Sequence, residues 1–462
     1  MPNCEPLAWY GGIVLILTGC LIIIPYFLRK AELVSAWNFL LVGVAIFVGI
    51  GCLEAAVSPL RFRGLEWFQP TRAEVQRYML YTTAFLVVMI ATYYFDPLTR
   101  AASSRIFNKW PPITPKLLIW VLLGCIPFAF ALMLEPLRHI IFVSQVVINV
   151  SHKAMVFSVV FSFVLWYRNR LNLFWLAAFI VVFMAMCLMG ILSGPGRRVL
   201  VSMFVGPVVV FYFYTARHWR PTRSMVILAC SSVVLFSVSL MYSTIRHYDR
   251  IGGRHERDAA GAIEAVKNID STRWFERFQQ DMLWNLSQSV VHYALLTDRF
   301  VETGLLEEKP FNTFKFFLVY PIPRAIYPNK PEGLGSVITT KVLKATTTWG
   351  TGVAGHSAYE GGVIIAIMFG YLAGFGCRMF DDPLRRHPTN PFLIAMVSAA
   401  AMHLIAWPRG DLSTMTFEVA ECIFFTIGLC WITRLVFGTE RAPYSMRYPP
   451  AHMPHSYQVP SR

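Results

Sequence analysis

The residues best suited to chemistry are cations set among prolines and glycines. Tyr320-Pro321-Ile322-Pro323-Arg324-Ala325-Ile326-Tyr327-Pro328-Asn329-Lys330-Pro331 places four prolines around two cations. Each proline fixes φ near −65° and lowers the ordering entropy lost on folding. The segment is therefore expected to be a stiff, extended ribbon presenting Arg324 and Lys330. A guanidinium grips phosphate through two parallel hydrogen bonds, and an ammonium acts as a point charge. Tyr327 adds a ring able to stack on a sugar face. In Ser193-Gly194-Pro195-Gly196-Arg197-Arg198, two glycines allow close backbone approach, and Arg197 and Arg198 form a phosphate cradle. His356-Ser357-Ala358-Tyr359-Glu360-Gly361-Gly362 is read as a helix start, where the dipole favours Glu360 and equally a phosphate. His356, outside the apolar run, suits a base or donor. Trp407-Pro408-Arg409-Gly410-Asp411 contributes Arg409. Each motif also has a plainer reading: a rigid loop with solvated cations, a turn with snorkelling arginines, a Ser357–Glu360 capping box and an Arg409–Asp411 pair.

The elements that must position these groups are membrane-spanning. Of 462 residues, 56% are hydrophobic and only 15% charged, against about 25% charge in soluble domains. Mean hydropathy is +0.51. Apolar runs fall near 7–28, 34–59, 78–95, 117–134, 153–167, 171–193, 199–216, 224–243, 358–377, 391–407 and 416–437. They predict an all-α polytopic membrane protein of about 11 transmembrane helices, within a range of about 10–12. Residues 140–150 either extend the short fifth run or dip in separately. Glu54, Glu418 and Glu421 lie inside apolar runs, where an ionised group costs about 2.5–3.5 kcal/mol or more, so they should face the bundle interior as packing partners. The nine scattered cysteines form no C-x-x-C pair and read as small apolar residues. The first run has no basic residue before it and Arg29-Lys30 after it, the reverse of a secretory signal.

Cations in the connections predict orientation. Arg29/Lys30, Arg100/Arg105/Lys109/Lys116, Arg168/Arg170, Arg217/Arg220/Arg223, Arg378/Arg385/Arg386 and Arg434/Arg441/Arg447 form the richer alternating set, expected to be cytoplasmic. Arg61/Arg63/Arg72/Arg77, Arg138/Lys153, Arg197/Arg198 and Arg409 form the other. The N-terminus and the long polar loop then lie outside and the C-terminus inside, with the arginines of 61–77 in conflict. The expected organisation is a bundle of about eight helices over 1–243, a large extracytoplasmic loop over 244–357, about three helices over 358–437 and a disordered cytoplasmic tail over 438–462. Within the loop, helical spacing of Trp274, Phe275, Phe278, Met282, Leu283, Leu286 and Val290 predicts an amphipathic helix over 272–301. The apolar stretch 316–320 is too short to cross a bilayer. The net charge of +15 suits anionic headgroups or an anionic substrate. Arg198, Arg324, Lys330 and Arg409 all fall on the outer side beside His356 and Glu360, an arrangement suited to a lipid-linked diphosphate.

From His292 the chain reads H-Y-A-L-L-T-D-R-F-V-E-T-G, then P-R-A-I-Y-P-N-K-P, H-S-A-Y-E-G-G-V-I-I-A-I-M-F-G and R-G-D-L. Over about 190–435 this resembles the Wzy-type O-antigen (oligosaccharide repeat-unit) polymerases. In that family a tyrosine, a later glycine, a Pro-Arg…Trp-Pro-x-Lys-Pro element and a Gly-Glu-x-Tyr…Gly helix start recur in this order. Here Tyr327 replaces the usual tryptophan and the Glu–Tyr order is reversed at Tyr359-Glu360. The resemblance implies a GT-C-like glycosyltransferase of the bacterial inner membrane. It would polymerise undecaprenyl-diphosphate-linked repeat units into surface polysaccharide at the outer face. Tyr293, Arg197, Arg198, Arg324, Tyr327, Lys330 and Arg409 would bind the diphosphate or glycan, and His356 or Glu360 would take the acceptor proton. The expected partners are membrane lipids, the lipid-linked glycan, a chain-length regulator and a flippase. No metal, cofactor or nucleic acid is expected. The alternatives are an O-antigen ligase acting on a lipid acceptor and a lipid-linked oligosaccharide flippase.

Overall fold

The computed structural model describes residues 4–57, 68–107, 109–131, 141–192, 197–251, 288–322, 326–342 and 350–438. Its elements are helices throughout. The first nine are α1 (Glu5–Phe27), α2 (Ala36–Val57, with a widened turn at Ala45–Ile50), α3 (Arg72–Phe95), α4 (Pro97–Ile106), α5 (Pro115–Phe130), α6 (Ile141–Arg168), α7 (Leu173–Leu192), α8 (Arg197–Tyr214) and α9 (Pro221–Ile251). After the long connection come α10 (Gln288–Glu302), α11 (Asn312–Val319), α12 (Leu334–Val337, running on through Ile338–Val342), α13 (Gly352–Glu360), α14 (Val363–Arg386), α15 (Pro391–Ala406) and α16 (Leu412–Phe437). Among the described residues seven helices are long and apolar enough to cross a membrane: α1, α2, α3, α6, α7, α14 and α16. The apolar helices Pro115–Phe130, Arg198–Tyr214, Pro221–Leu235 and Pro391–Ala406 are shorter. Over their described residues ten of the eleven apolar runs fall on one helix each, the run 358–377 straddles α13 and α14, and the chain is an all-α polytopic membrane protein.

The central member is α6, whose apolar stretch is 89% buried against 22% for α7 at the rim. It packs on α5, α7, α8 and α15. The most extensive pairing is that of α3 with α14, which run in the same direction. Gly370 and Gly374 sit against Phe85 and Met89, where an added Cβ would lie 2.5 Å from either carbonyl oxygen. A small residue every fourth position lets two helix backbones touch where no water-driven attraction operates between them.

The connections sort to two ends. At one end Arg217 pairs with Glu32 at 2.7 Å, and Tyr26 reaches the Pro221 carbonyl. Arg168 bonds Tyr214 and Tyr214 bonds the Thr389 carbonyl, while Ser103 meets Asp382 and Arg434 reaches the Lys109 carbonyl. Asp381, 1% exposed, accepts from Ala36 N, Trp37 N and Tyr93 Oη, which fixes the start of α2. This end carries the richer cation set. The other end holds α10, α11, α12 and α13. Arg77 there pairs with Asp298 at 2.8 Å and Glu302 at 2.6 Å, and Arg299 with Glu74 at 2.6 Å. Carboxylates of the loop thus match Arg77, which removes part of the conflict in the charge pattern. Arg61, Arg63 and Arg138 lie outside the described residues.

Several expectations are corrected. Lys153 is not a connection charge: α6 begins at Ile141, so residues 140–150 largely extend the fifth run, and Lys153 is 2% exposed inside the bundle. The stretch from His356 to Gly362 is not a helix start. It ends α13, and Gly361 (φ +134°) and Gly362 (φ +67°) break the chain before α14. Ser357 accordingly caps nothing; its carbonyl accepts Gly361 N and Gly362 N. The first bundle runs on to Ile251, beyond the expected limit at 243. Of the amphipathic helix over 272–301, residues 272–287 lie outside the described residues, as does the tail from 439. Seven cysteines are buried, while Cys20 and Cys230 are exposed.

Candidate functional site

Three helix N-termini meet at the loop end, and two carboxylates and a histidine satisfy them. Phe311, before α11, adopts a left-handed φ of 57° and offers no capping side chain. Glu360, at the last position of α13, supplies the cap instead: its Oε2 accepts Thr313 N at 2.8 Å and its Oε1 accepts Thr313 Oγ1 at 2.6 Å. Asp411 accepts Ser413 N at 3.0 Å at the start of α16 and Gly335 N at 3.1 Å at the start of α12. Leu412 N donates to His356 Nε2 at 3.1 Å. The ring hydrogen of His356 therefore sits on Nδ1, 2.8 Å from Glu360 Oε1. Ser413 Oγ closes the network 3.0 Å from Thr313 Oγ1. Glu360 does gain from a helix dipole, as expected, but the helix is α11. Both His356 and Glu360 are enclosed, with side chains 0% exposed, and every described partner of theirs is protein.

The cations surround this hub. Arg198, in the first turn of α8, contacts Met415 Sδ in the first turn of α16. Arg409 lies 5.7 Å from the Phe47 ring centroid and close enough to Tyr293 to act on its phenol; burial nonetheless pushes that phenol up to about 12. Lys330 turns back, donating to the Tyr320 carbonyl at 2.5 Å and the Ile322 carbonyl at 3.1 Å, over the Tyr320 ring at 4.9 Å. The expected extended ribbon is thus a folded loop over its described residues, stapled by its own lysine, with Tyr327 exposed at the turn. Arg198, Arg409, Lys330, Tyr293 and Tyr327 consequently share one end of the bundle. Arg324, Ser193–Gly196 and the side chain of Arg197 lie outside the described residues.

Beneath the loop, α11 packs on α16. Tyr320 lies 4.1 Å and Phe317 5.9 Å from the Phe417 ring, so the stretch 316–320 docks on a helix, as its length suggested. Burial pushes the Tyr320 phenol up to about 12, with Glu418 and Glu421 adding to it. Those two carboxylates belong to a buried charge cluster that sequence reasoning resolved only in part. Lys153 of α6 pairs with Glu418 and, at 3.2 Å, with Glu421. His403 Nε2 stands 3.8 Å from Glu418. The signal available was three ionisable residues in apolar runs, but Lys153 had been assigned to a connection.

No family model, curated protein or solved structure matches this chain.

Proposed function

We propose that this protein is an inner-membrane glycosyltransferase of the GT-C class. In this reading it lengthens undecaprenyl-diphosphate-linked oligosaccharide by transferring the growing glycan to a sugar hydroxyl of a second lipid-linked repeat unit. All eleven apolar helices cross the bilayer, the loop end and N-terminus face outward, and the more cationic end faces the cytoplasm. One observation carries the proposal: Arg198, Lys330 and Arg409, from three distant stretches of sequence, stand at the same end of an apolar bundle, with Arg409 near Tyr293. A lipid-linked diphosphate presents its charge at that depth. Arg198, with Arg324 and Arg409, offsets the charge that develops as the bond between anomeric carbon and diphosphate oxygen breaks. Lys330 shapes the loop that carries Arg324 and Tyr327, leaving the Tyr327 ring free to stack on sugar. His356, Glu360 and Asp411 hold the three helix starts that frame this site.

The test is reconstitution of the purified chain in liposomes with a lipid-linked repeat unit and no lipid A–core. Lengthening of the glycan supports the proposal. Transfer that appears only when core acceptor is added would replace it with a ligase. Movement of the lipid across the bilayer with no new glycosidic bond would replace it with a flippase. A charge-assisted contact is worth about 1.5–3 kcal/mol, so Arg198→Ala and Arg324→Ala should each slow lengthening about 10- to 100-fold. Membrane insertion should be unchanged.

A further inference from the structure

The buried charges between α6 and α16 are not used by the reading above, and their arrangement is unlike a simple packing pair. Packing needs one carboxylate for one ammonium, yet Lys153 faces two. Lys153 is 2% exposed, whereas the side chains of Glu418 and Glu421 remain 15% and 17% exposed. The ammonium therefore forms the inner wall, and the two acidic side chains lie partly exposed beside Tyr320, with Glu421 Oε2 itself buried and without a hydrogen-bond partner. Glu418 also has His403 at 3.8 Å, and Glu421 also bonds Asn149, which still leaves that Oε2 with no hydrogen-bond partner. Glu421 stands two turns beyond Met415, where Arg198 makes its contact. At 1.5 Å per residue the two positions are about 9 Å apart along the helix axis. That span accommodates, in order, a bound diphosphate, an anomeric carbon and an attacking hydroxyl.

We infer that Glu421 is the catalytic proton acceptor for the acceptor hydroxyl, with Lys153 and Glu418 as its positioning residues. The inference rests on the glycosyl-transfer reading. As the acceptor oxygen bonds to the anomeric carbon, its proton passes to the Glu421 carboxylate. The bond from that carbon to the diphosphate oxygen breaks, and its electron pair leaves with undecaprenyl diphosphate on the Arg198 side. The proton is then released to water. Ionisable groups within a membrane bundle are costly to retain and commonly mark a reaction or transport path.

The experiment compares wild type, Glu421→Gln and Glu421→Ala in liposomes. It measures glycan lengthening, retention of radiolabelled undecaprenyl diphosphate and melting temperature. General base catalysis contributes about 10²–10⁴-fold. Glu421→Gln, nearly isosteric, should lower lengthening at least about 100-fold while lipid retention and melting stay at wild-type values. Formate should restore part of the rate to Glu421→Ala. Glu421→Gln lengthening at more than a tenth of the wild-type rate overturns the assignment. So does a rate loss that tracks a lowered melting temperature, with formate giving no rescue to Glu421→Ala. A wild-type chain that lengthens no glycan defeats the transferase reading itself, an outcome distinct from either result on the variants.

Discussion

Glu360 offers the sharpest test of how the loop end is built. Its carboxylate accepts Thr313 N at 2.8 Å, Thr313 Oγ1 at 2.6 Å and His356 Nδ1 at 2.8 Å. Glu360→Ala removes all three acceptors from a site with no solvent exposure. The Thr313 hydroxyl can turn to Ser413 Oγ, 3.0 Å away, and its oxygen can then accept the His356 ring hydrogen from Nδ1, 3.1 Å away, but Thr313 N is stranded. An unsatisfied buried donor costs about 1–3 kcal/mol, so the variant should lose about 1–3 kcal/mol. Glu360→Gln retains an acceptor on one oxygen and sets an amide against a donor at the other, so it should fall between. The assay is thermal unfolding in detergent, with lengthening activity expressed per folded molecule. A lowered melting temperature with normal activity per folded molecule is the expected result. Glu360→Ala melting like wild type yet inactive would refute the scaffold argument and return Glu360 to the role of base.

Further outcomes follow from other parts of the fold. Gly374→Leu should prevent α14 from seating on α3, because the added Cβ meets the Met89 carbonyl at 2.5 Å; little folded protein should survive size-exclusion chromatography, whereas Gly376→Leu, whose position faces open space, should behave as wild type. Asp298→Asn should cost about 1–2 kcal/mol in thermal unfolding, between the near-zero worth of an exposed pair and the several kcal/mol of a buried one. Added salt should shrink that difference only slightly, since Asp298 is mostly buried. Burial and the neighbouring Arg386 lower the His387 imidazole below its ordinary range. The folded ring binds its proton less readily than the unfolded one, so stability is full above about pH 6.5 and declines as pH falls below it. His387→Phe, which keeps the ring contact with Trp110, should flatten the fall in melting temperature between pH 7 and pH 5.

The helices were legible because hydropathy registers what a lipid interior demands of a whole segment, and all of the eleven apolar runs but 358–377 lie on a single helix over their described residues. Their ends were less so. The third run was read from 78, but α3 starts at Arg72 behind a Thr71–Glu74 capping box, six polar-rich residues that loop carboxylates neutralise. The fifth run was cut at Lys153 because a transfer scale counts the cost of an ammonium without its partners, and these sit 265 and 268 positions downstream on α16. The stretch His356 to Gly362 reads in sequence as a helix start, and only the positive φ values at Gly361 and Gly362 show that one helix ends there before the next begins.

The site divides along the same line. That Arg198, Lys330 and Arg409 share an end follows from the parity of crossings, a property of order along the chain, and the structure agrees. The occupation of His356 and Glu360 does not follow from order, because it depends on Thr313 and Leu412, neither of which carries any mark of chemistry. A cation or carboxylate in such a chain has three fates: it is neutralised across a connection, as Arg77 is by Asp298; it is absorbed into a helix start, as Glu360 is by α11; or it keeps an accessible edge. Of the described acidic groups within the apolar core, Glu418 and Glu421 combine a partly exposed side chain with a buried counter-charge. That combination, more than proximity to a motif, is what separates a group available for proton transfer from one that holds the fold.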